Sequence, residues 1–469
     1  MGPGLRNVTS VNISRGLKAR FRKILGKEWV LDSPADLICY SQDAGGYSAV
    51  PDLVLLPERA EQVAKILDIC AQDGIPVVPR GAGTGTVGGS IPVQGGVVIA
   101  AVRMNRISMT SLVDLSCRVG PGVITGDLQN RISSEGLFYP PDPASLAFCT
   151  IGGNVATCAG GARAVKYGVT RDYVRAVQLA LPDGSLLNLG AQTAKSVVGF
   201  DLARLVTGSE GCLGFITSIT LRLLPMPLKV VTCVALYPTG ADALDCVTGF
   251  FQASVVPRCA EFLDRLSLQA IRHLLPFPVD GDAAAMLLVE LDGSEESAAF
   301  EANQVVDVMK AGRCLMARIL EDQRAVEQVW QARRGMSPAI KRLGFSKKVS
   351  EDICVPRHAL VEMLQFLESI STDDATILAF GHAGDGNLHV NLLLREGAAG
   401  DQELIRAVIG SIMSKAVELG GTISGEHGIG ISKMEYLSLE QTAGLVDLQK
   451  RLKGLFDPRG IMNPGKIFL

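Results

Sequence analysis

The sequence predicts an α+β protein with at least two domains. Its 469 residues exceed one ordinary core, because a domain averages roughly 150 residues. The apolar spacing near the start predicts a βαβ unit, with two strands enclosing a helix at 52–57, 58–73 and 75–79. A pair of prolines, Pro225 and Pro227, ends this first region. Beyond it, strands alternate with helices in a second α+β region, at 230–237, 240–254, 285–292 and 296–312.

Composition and charge exclude several classes of protein. The net charge is −3, so no basic surplus favours nucleic acid. The longest apolar runs, such as 97–102, are far shorter than the roughly 20 residues of a membrane span. The first ten residues lack a basic-then-apolar signal, which predicts a cytoplasmic location and leaves peripheral contact with the inner membrane open. The 11 cysteines include no C-x-x-C, which argues against an iron–sulfur cluster or zinc ribbon and favours reduced thiols.

A glycine-rich stretch from Arg80 to Ser90 follows the βαβ unit. Residues 83–88 formally match G-x-G-x-x-G, but Ile91-Pro92 and a strand follow where that motif requires a helix. Glycines can let the backbone approach a phosphate, and consecutive N–H groups can bind an anion. A glycine-rich hairpin without a ligand is the alternative interpretation.

Two further segments of small residues lie in the same predicted domain, at 149–161 and 207–217. Together with the glycine-rich stretch they indicate a long ligand that contacts the backbone at several points. A nucleotide of the size of ATP would not need three such loops.

The histidines are concentrated near the C-terminus. The chain has five, and residues 376–394 place His382 and His389 on two apolar runs separated by Gly-Asp-Gly-Asn. That tetrapeptide predicts a strand reversal. On the paired strands both histidines can face one side, close enough to share a metal ion.

A third ligand can come from the Ser424–Gly430 stretch, where Glu426 precedes His427. Two imidazoles and one carboxylate, with positions left open, suit a catalytic Zn²⁺, Mn²⁺ or Fe²⁺. A histidine changes charge near neutral pH, so His427 suits proton transfer. Histidines that only form hydrogen bonds in a core are the alternative.

These motifs resemble the FAD-linked D-2-hydroxyacid dehydrogenases, the branch of the vanillyl-alcohol oxidase superfamily that contains glycolate oxidase subunits and D-lactate dehydrogenases. The resemblance covers about residues 35–469. It implies a two-subdomain FAD-binding domain of the PCMH type at 35–227. The segment 1–34 before it is expected to be helical, because basic residues are interleaved with apolar ones at 11–30. An α+β FAD-linked oxidase C-terminal domain, with the metal site and a flavin-contacting end, would span 228–469.

The resemblance implies that FAD binds with its pyrophosphate on the glycine-rich stretch. That stretch contains no histidine for a covalent link, so non-covalent binding is expected. The implied FAD-binding residues are Arg80, Gly81, Ala82, Gly83, Thr84, Gly88, Gly89, Pro141, Asp142, Thr150, Gly152, Gly153, Ala156, Gly160, Gly161, Glu210, Gly214, Ile216 and Asn463.

The resemblance also assigns roles around the substrate. It implies a divalent metal on His382, His389 and Glu426, and it makes His427 the catalytic base. The Trp-x-x-Arg element at 330–333 makes Arg333 the residue that binds the substrate carboxylate, with Asn391 and Lys348 as further substrate contacts.

The implied activity is FAD-dependent oxidation of a D-2-hydroxyacid to the 2-oxoacid. D-Lactate or glycolate is the expected substrate, and 2-hydroxyglutarate stays open. Electrons would pass to a partner: an electron-transfer flavoprotein, an iron–sulfur subunit or a quinone. A homodimer also stays open. The alternatives are an O₂-using oxidase, a non-redox FAD-dependent alkyl transferase and a catalytically silent FAD-binding subunit.

Overall fold

The computed structural model describes residues 11–398 and 400–468, which form two compact units. The first unit contains residues 11–160, 169–226 and 426–468. The second contains 161–168 and the described part of 227–425. The expectation that the first ten residues carry no export signal lies outside the described residues. Within the described ranges, no helix combines the length and the apolar character that crossing a bilayer requires.

The helices and strands up to residue 226 are short. The helices are α1 (Arg15–Leu25), α2 (Pro34–Ile38), α3 (Ala60–Gln72), α4 (Thr125–Ser133), α5 (Ile151–Thr157), α6 (Ala164–Tyr167) and α7 (Leu202–Val206). The strands are β1 (Val30–Leu31), β2 (Leu53–Leu55), β3 (Val77–Arg80), β4 (Val97–Ala100), β5 (Ile107–Ser111), β6 (Ser116–Val119), β7 (Leu137–Phe138), β8 (Val174–Ala180), β9 (Leu186–Gly190), β10 (Phe215–Arg222) and β11 (Leu224–Pro225).

The first unit contains two main sheets. One has the order β1-β2-β4-β3, in which β4 pairs in parallel with both neighbours, as the predicted βαβ unit requires. The other is antiparallel, with the order β5-β6-β10-β8-β9. Apolar side chains of α1 and α3, among them Phe21 and Ile66, pack with Leu53 and Val97 of the parallel sheet. Strands β8 and β9 form an antiparallel hairpin.

The chain from residue 227 onwards forms longer elements. The strands are β12 (Lys229–Tyr237), β13 (Cys259–Leu263), β14 (Ala285–Gly293), β15 (Met316–Leu320), β16 (Lys347–Cys354), β17 (Ala375–His382) and β18 (Asn387–Leu394). The helices are α8 (Gly240–Gln252), α9 (Arg265–Ile271), α10 (Glu295–Ala311), α11 (Gln323–Arg334), α12 (Met336–Ile340), α13 (Leu360–Ile370), α14 (Gln402–Glu418), α15 (Leu437–Glu440) and α16 (Ala443–Phe456), of which the last two belong to the first unit.

The second unit is built on one antiparallel sheet of seven strands, in the order β15-β12-β14-β13-β17-β18-β16. Alternate residues of each strand face one side, so the register decides which side chains meet. On one face, apolar residues such as Met286, Leu288 and Leu378 pack with Val329 of α11 and Met336 of α12. The polar residues described below occupy the same face, because they alternate in phase with these apolar positions.

Candidate functional site

The glycine-rich stretch connects β3 and β4 in the first unit. Asp43 accepts a hydrogen bond from the N–H of Gly88 at 2.7 Å, and burial raises the pKa of this carboxyl. Arg80, 7% exposed, donates to the carbonyl of Gln42 and to the hydroxyl of Ser90. Gly83 and Gly88 have φ values of 74° and 76°, where residues with a Cβ are strained. The backbone of the stretch is therefore held in one shape without a helix.

The start of α5 lies directly against this stretch. Thr150 caps α5, because its hydroxyl accepts a hydrogen bond from the N–H of Gly153 at 3.2 Å. A Cβ on Gly81 would lie 2.3 Å from that hydroxyl oxygen, and a Cβ on Gly152 would lie 2.4 Å from the ring of Pro121. Both positions require glycine because of close approach.

Glu210 and Asn463 tie three segments of the first unit together. The buried Glu210 carboxylate accepts the N–H groups of Ile429 and Gly430, each at 2.8 Å. Burial raises the pKa of this carboxyl, and the two N–H groups oppose the rise. The Asn463 amide donates to the carbonyls of Gly89 and Glu210, at 2.8 and 2.7 Å. Both side chains bind protein backbone, and Asn463 thereby holds the glycine-rich stretch at Gly89.

The other predicted FAD contacts lie along the same segments of the first unit or next to them in sequence. The carbonyl of Pro141 accepts from Gln129, and that of Ala156 accepts from the N–H of Glu210. The rest are Ala82 and Thr84 of the glycine-rich stretch, Asp142 beside Pro141, Gly160 of the segment 149–161, and Gly214 and Ile216 of the segment 207–217. Gly161 belongs to the second unit.

The surroundings of the glycine-rich stretch fit a nucleotide cofactor. Side chains are absent where the backbone turns, and Gly85 has nothing within 4 Å of the position of a Cβ. The buried hydroxyl oxygens of Thr86 and Ser432 have no hydrogen-bond partner among the described residues. Buried polar atoms are normally satisfied, so a polar ligand group is the natural partner here.

His382 and His389 come together as the reversal predicts. His389 lies opposite Phe380 in the register, two pairs along from His382, and all three face the same side of the sheet. The two Nε2 atoms are 3.5 Å apart, and the rings are nearly perpendicular at 85°. Two tetrahedral zinc ligands with bonds of about 2.1 Å have nitrogens about 3.4 Å apart. The pair therefore fits two corners of a metal site.

Glu261 of β13 was not predicted from the sequence. It lies opposite His382 in the register, and its Oε1 is 2.5 Å from Nδ1 of His382. Its Oε2 is 2.5 Å from Nη2 of Arg333. Burial acts to raise the pKa of Glu261, but the charge of Arg333, followed by the contact with His382, outweighs it and lowers that pKa below the ordinary value. A glutamate within the apolar strand 259–263 was the signal available in the sequence, since such a residue needs a buried partner.

The structure explains the Trp-x-x-Arg spacing. Residues three apart share one face of a helix, and here Trp330 and Arg333 of α11 reach carboxylates on neighbouring strands. The indole of Trp330 donates to Glu290 of β14 at 2.6 Å, while Arg333 pairs with Glu261 of β13. Arg333 is 6% exposed and stacks over Phe380, and its Nε has no hydrogen-bond partner among the described residues.

Asn391 and Lys348 share the sheet face with the histidines. Asn391 accepts a hydrogen bond from Ser350 at 2.7 Å and donates to the carbonyl of His389. Lys348 is two residues from Ser350 on β16 and donates to Ser337 at 2.8 Å. Burial, and then the charge of Lys341, lowers the pKa of Lys348.

Glu426 and His427 follow the last residue of the second unit and belong to the first. Gly425, at the end of the second unit, has the Asn387 amide 2.7 Å from the position of a Cβ. In the first unit, a Cβ on Gly160 would lie 2.8 Å from a carboxylate oxygen of Glu426. The predicted site residues are thus distributed over both units: a histidine pair with its arginine in one, and the Glu-His pair in the other.

Comparison with known proteins decides the family. The family of FAD binding domains matches residues 51–190, and the family described as FAD linked oxidases, C-terminal domain, matches residues 226–467. This chain belongs to the FAD-linked oxidases. The FAD-linked oxidase is 38% identical over 458 residues to the glycolate oxidase subunit GlcD of Bacillus subtilis, covering 97% of both chains. It is 36% identical to a D-lactate dehydrogenase of Anaerostipes hadrus, covering 89% of this chain and 90% of that protein.

Solved structures agree on the fold. p-Cresol methylhydroxylase matches with a TM-score of 0.78 at 17% identity, covering 98% of both chains. Alkyldihydroxyacetonephosphate synthase matches with a TM-score of 0.76 at 18% identity, covering 99% of this chain and 89% of that one. The predicted family and fold class are confirmed, and the chain is a FAD-linked oxidoreductase of the glycolate oxidase subunit and D-lactate dehydrogenase type.

Proposed function

We propose that this FAD-linked oxidoreductase oxidises a D-2-hydroxyacid, D-lactate or glycolate in the first instance, to the 2-oxoacid. The alcohol loses a hydride from its α-carbon and a proton from its hydroxyl. When bound, FAD accepts the hydride, and a divalent metal (Zn²⁺, Mn²⁺ or Fe²⁺) lowers the pKa of the hydroxyl. The observation that supports the proposal most directly is the pair of Nε2 atoms 3.5 Å apart on one sheet face.

The residues of the chain divide the remaining work. His382 and His389 would hold the metal through Nε2, and Glu426 would supply the third ligand. Arg333 binds the substrate carboxylate, because its buried Nε is a donor without a partner among the described residues. His427 takes the hydroxyl proton.

Two further side chains select among substrates, because they contact the part of the substrate beyond its reacting carbon. Asn391 and Lys348 lie on the histidine face of the sheet and contact the rest of the substrate. A second carboxylate, as in 2-hydroxyglutarate, would pair with Lys348.

A partner would take the electrons from a bound, reduced flavin: an electron-transfer flavoprotein, an iron–sulfur subunit or a quinone. The sequence contains no C-x-x-C motif of the kind that holds an iron–sulfur cluster. Mixing the reduced protein with air distinguishes an O₂-using oxidase from a dehydrogenase that uses a partner. In an oxidase, O₂ would reoxidise the flavin within the time of one turnover. Alkyl transfer is supported only by the fold of a structure 18% identical.

The catalytic base is tested with His427→Ala. We expect the variant to retain FAD but to lose flavin bleaching by D-lactate or glycolate under anaerobic conditions, by about 10²–10⁴-fold in rate. His273→Ala is the matched control, because His273 is exposed and lies outside the proposed site. Bleaching of His427→Ala at the wild-type rate would refute the assignment.

The substrate class is tested by the same bleaching with a panel of D- and L-2-hydroxyacids, with and without a chelator. We expect D-acids and glycolate to reduce the flavin, and we expect the chelator to stop them. Reduction by L-acids alone, or reduction that no chelator affects, contradicts the proposal.

A further inference from the structure

We propose that Glu261 is a positioning residue that orients both His382 and Arg333, an inference that rests on the proposed function. Glu261 is 1% exposed and lies on β13, next to β17 in the sheet. Residues opposite each other in an antiparallel pair point to the same side, so the Glu261 and His382 side chains meet without any loop to hold them.

The contact with His382 decides which ring nitrogen is available. An ionised carboxylate only accepts hydrogen bonds, so Nδ1, 2.5 Å from Oε1, carries the hydrogen. The lone pair of the neutral ring is then on Nε2, the atom that lies 3.5 Å from Nε2 of His389. A carboxylate behind a ligating imidazole fixes the tautomer and ring orientation and raises the basicity of the ligand.

The second oxygen of Glu261 faces Arg333, with Oε2 2.5 Å from Nη2. Arg333 is 6% exposed, and a buried guanidinium without an anion is costly. One rigid carboxylate therefore contacts both a metal ligand and the residue that binds the substrate carboxylate. We infer that Glu261 fixes the distance between these two anchors, which a 2-hydroxyacid must span.

The experiment measures Zn²⁺ affinity of the flavin-loaded full chain by competition with a fluorescent zinc indicator. We expect Glu261→Ala to raise the Kd for Zn²⁺ by about 10–100-fold. Glu261→Gln should raise it less, because the amide oxygen can still accept from Nδ1–H of His382.

Glu290→Gln is the matched control. Glu290 is another buried carboxylate on the same sheet face, 9% exposed, and its partners are Trp330 and Arg258. The Glu290→Gln variant should have a lower unfolding temperature, as Glu261→Gln should, but its Kd for Zn²⁺ should equal that of wild type. Equal losses of affinity in the two variants would reduce Glu261 to a structural role and overturn the proposal.

The remaining outcomes separate this inference from the proposed function. If His389→Ala loses Zn²⁺ but Glu261→Ala keeps the wild-type Kd, the positioning role is wrong and the metal site stands. If wild type shows no binding that depends on His389, the metal site and the positioning role both fail. If Glu261→Ala does not fold, Glu261→Asp keeps the charge on a side chain one methylene shorter. The Kd of Glu261→Asp for Zn²⁺ should be at least about tenfold higher than that of wild type, and an unchanged Kd overturns the proposal.

Discussion

The two units build their sites from different material. In the first unit, the glycine-rich stretch offers mainly backbone, and the side chains around it, Asp43 and Glu210, bind backbone N–H groups. In the second unit, one face of a seven-stranded sheet presents side chains whose positions follow from strand register, among them His382 and Glu261.

This difference predicts two kinds of sensitivity to mutation. A backbone site fails when a side chain is added, because the added Cβ occupies space that the close approach needs. A side-chain site fails when an atom that binds or orients is removed, while the sheet beneath it persists.

The largest effect is expected for His389→Ala in the second unit. The change removes one of two facing Nε2 atoms from a half-buried strand position, and the sheet keeps its pairing. We expect loss of bound metal and a decrease in the rate of flavin reduction of roughly 10³-fold or more, since metal stabilisation amounts to several kcal/mol. Metal analysis and anaerobic stopped flow measure both, and the flavin content should stay at the wild-type level.

A retained metal content in His389→Ala would break the contrast. The histidines would then be ordinary hydrogen-bonded residues of the sheet, which is the alternative left open by the sequence. Loss of flavin together with the metal would also contradict the contrast. It would mean that a side-chain change in the sheet of the second unit had disturbed the backbone site of the first.

The intermediate effect is expected for Gly81→Ala in the first unit. The new Cβ would lie 2.3 Å from the Thr150 hydroxyl, so the cap of α5 must move. Overpacking of this kind costs about 1–3 kcal/mol, which corresponds to roughly a 5–150-fold weaker affinity for FAD. Equilibrium dialysis against FAD measures the affinity, and zinc binding should be unchanged.

Gly85→Ala is the matched control in the same stretch. Nothing lies within 4 Å of the ideal Cβ of Gly85, so the added methyl causes no clash within the protein. If the two alanine variants lose FAD equally, contact between α5 and the stretch is not what makes Gly81 necessary.

The sequence predicted the two histidines of the second unit's site, but it did not predict the glutamate that contacts one of them. His382 and His389 could be placed together because a Gly-Asp-Gly-Asn reversal and the two-residue period of strands fix which side chains meet. Glu261 could not be paired with His382, because β13 and β17 are separated by more than a hundred residues and their register depends on the whole sheet order. Pattern reasoning predicts local geometry well and long-range pairing poorly.

The first unit shows the same limit at its C-terminal end. The segment Asn463-Pro464-Gly465-Lys466 stands out in the sequence, but the sequence does not show which groups its two polar side chains bind. The side chain of Asn463 bonds to the carbonyls of Gly89 and Glu210, and Lys466 donates to the carbonyl of Ile91 at 2.6 Å. These contacts attach the C-terminal segment to the end of the glycine-rich stretch and to Glu210.

Lys466→Met should change stability more than activity, because the buried Lys466 ammonium donates to the backbone carbonyl of Ile91. Burial lowers the pKa of Lys466 from 10.5 to about 8, so the folded state gives up this proton more readily than the unfolded chain. Below pH 8 the buried charge opposes folding, and this cost fades as pH rises from about 8 to 10.5. The free energy of unfolding of Lys466→Met, minus that of wild type, should therefore be largest near pH 7. It should shrink by up to about 3 kcal/mol by pH 10.5. Denaturant titrations of both chains across that range measure the difference; a constant difference would show that Lys466 titrates alike in both states.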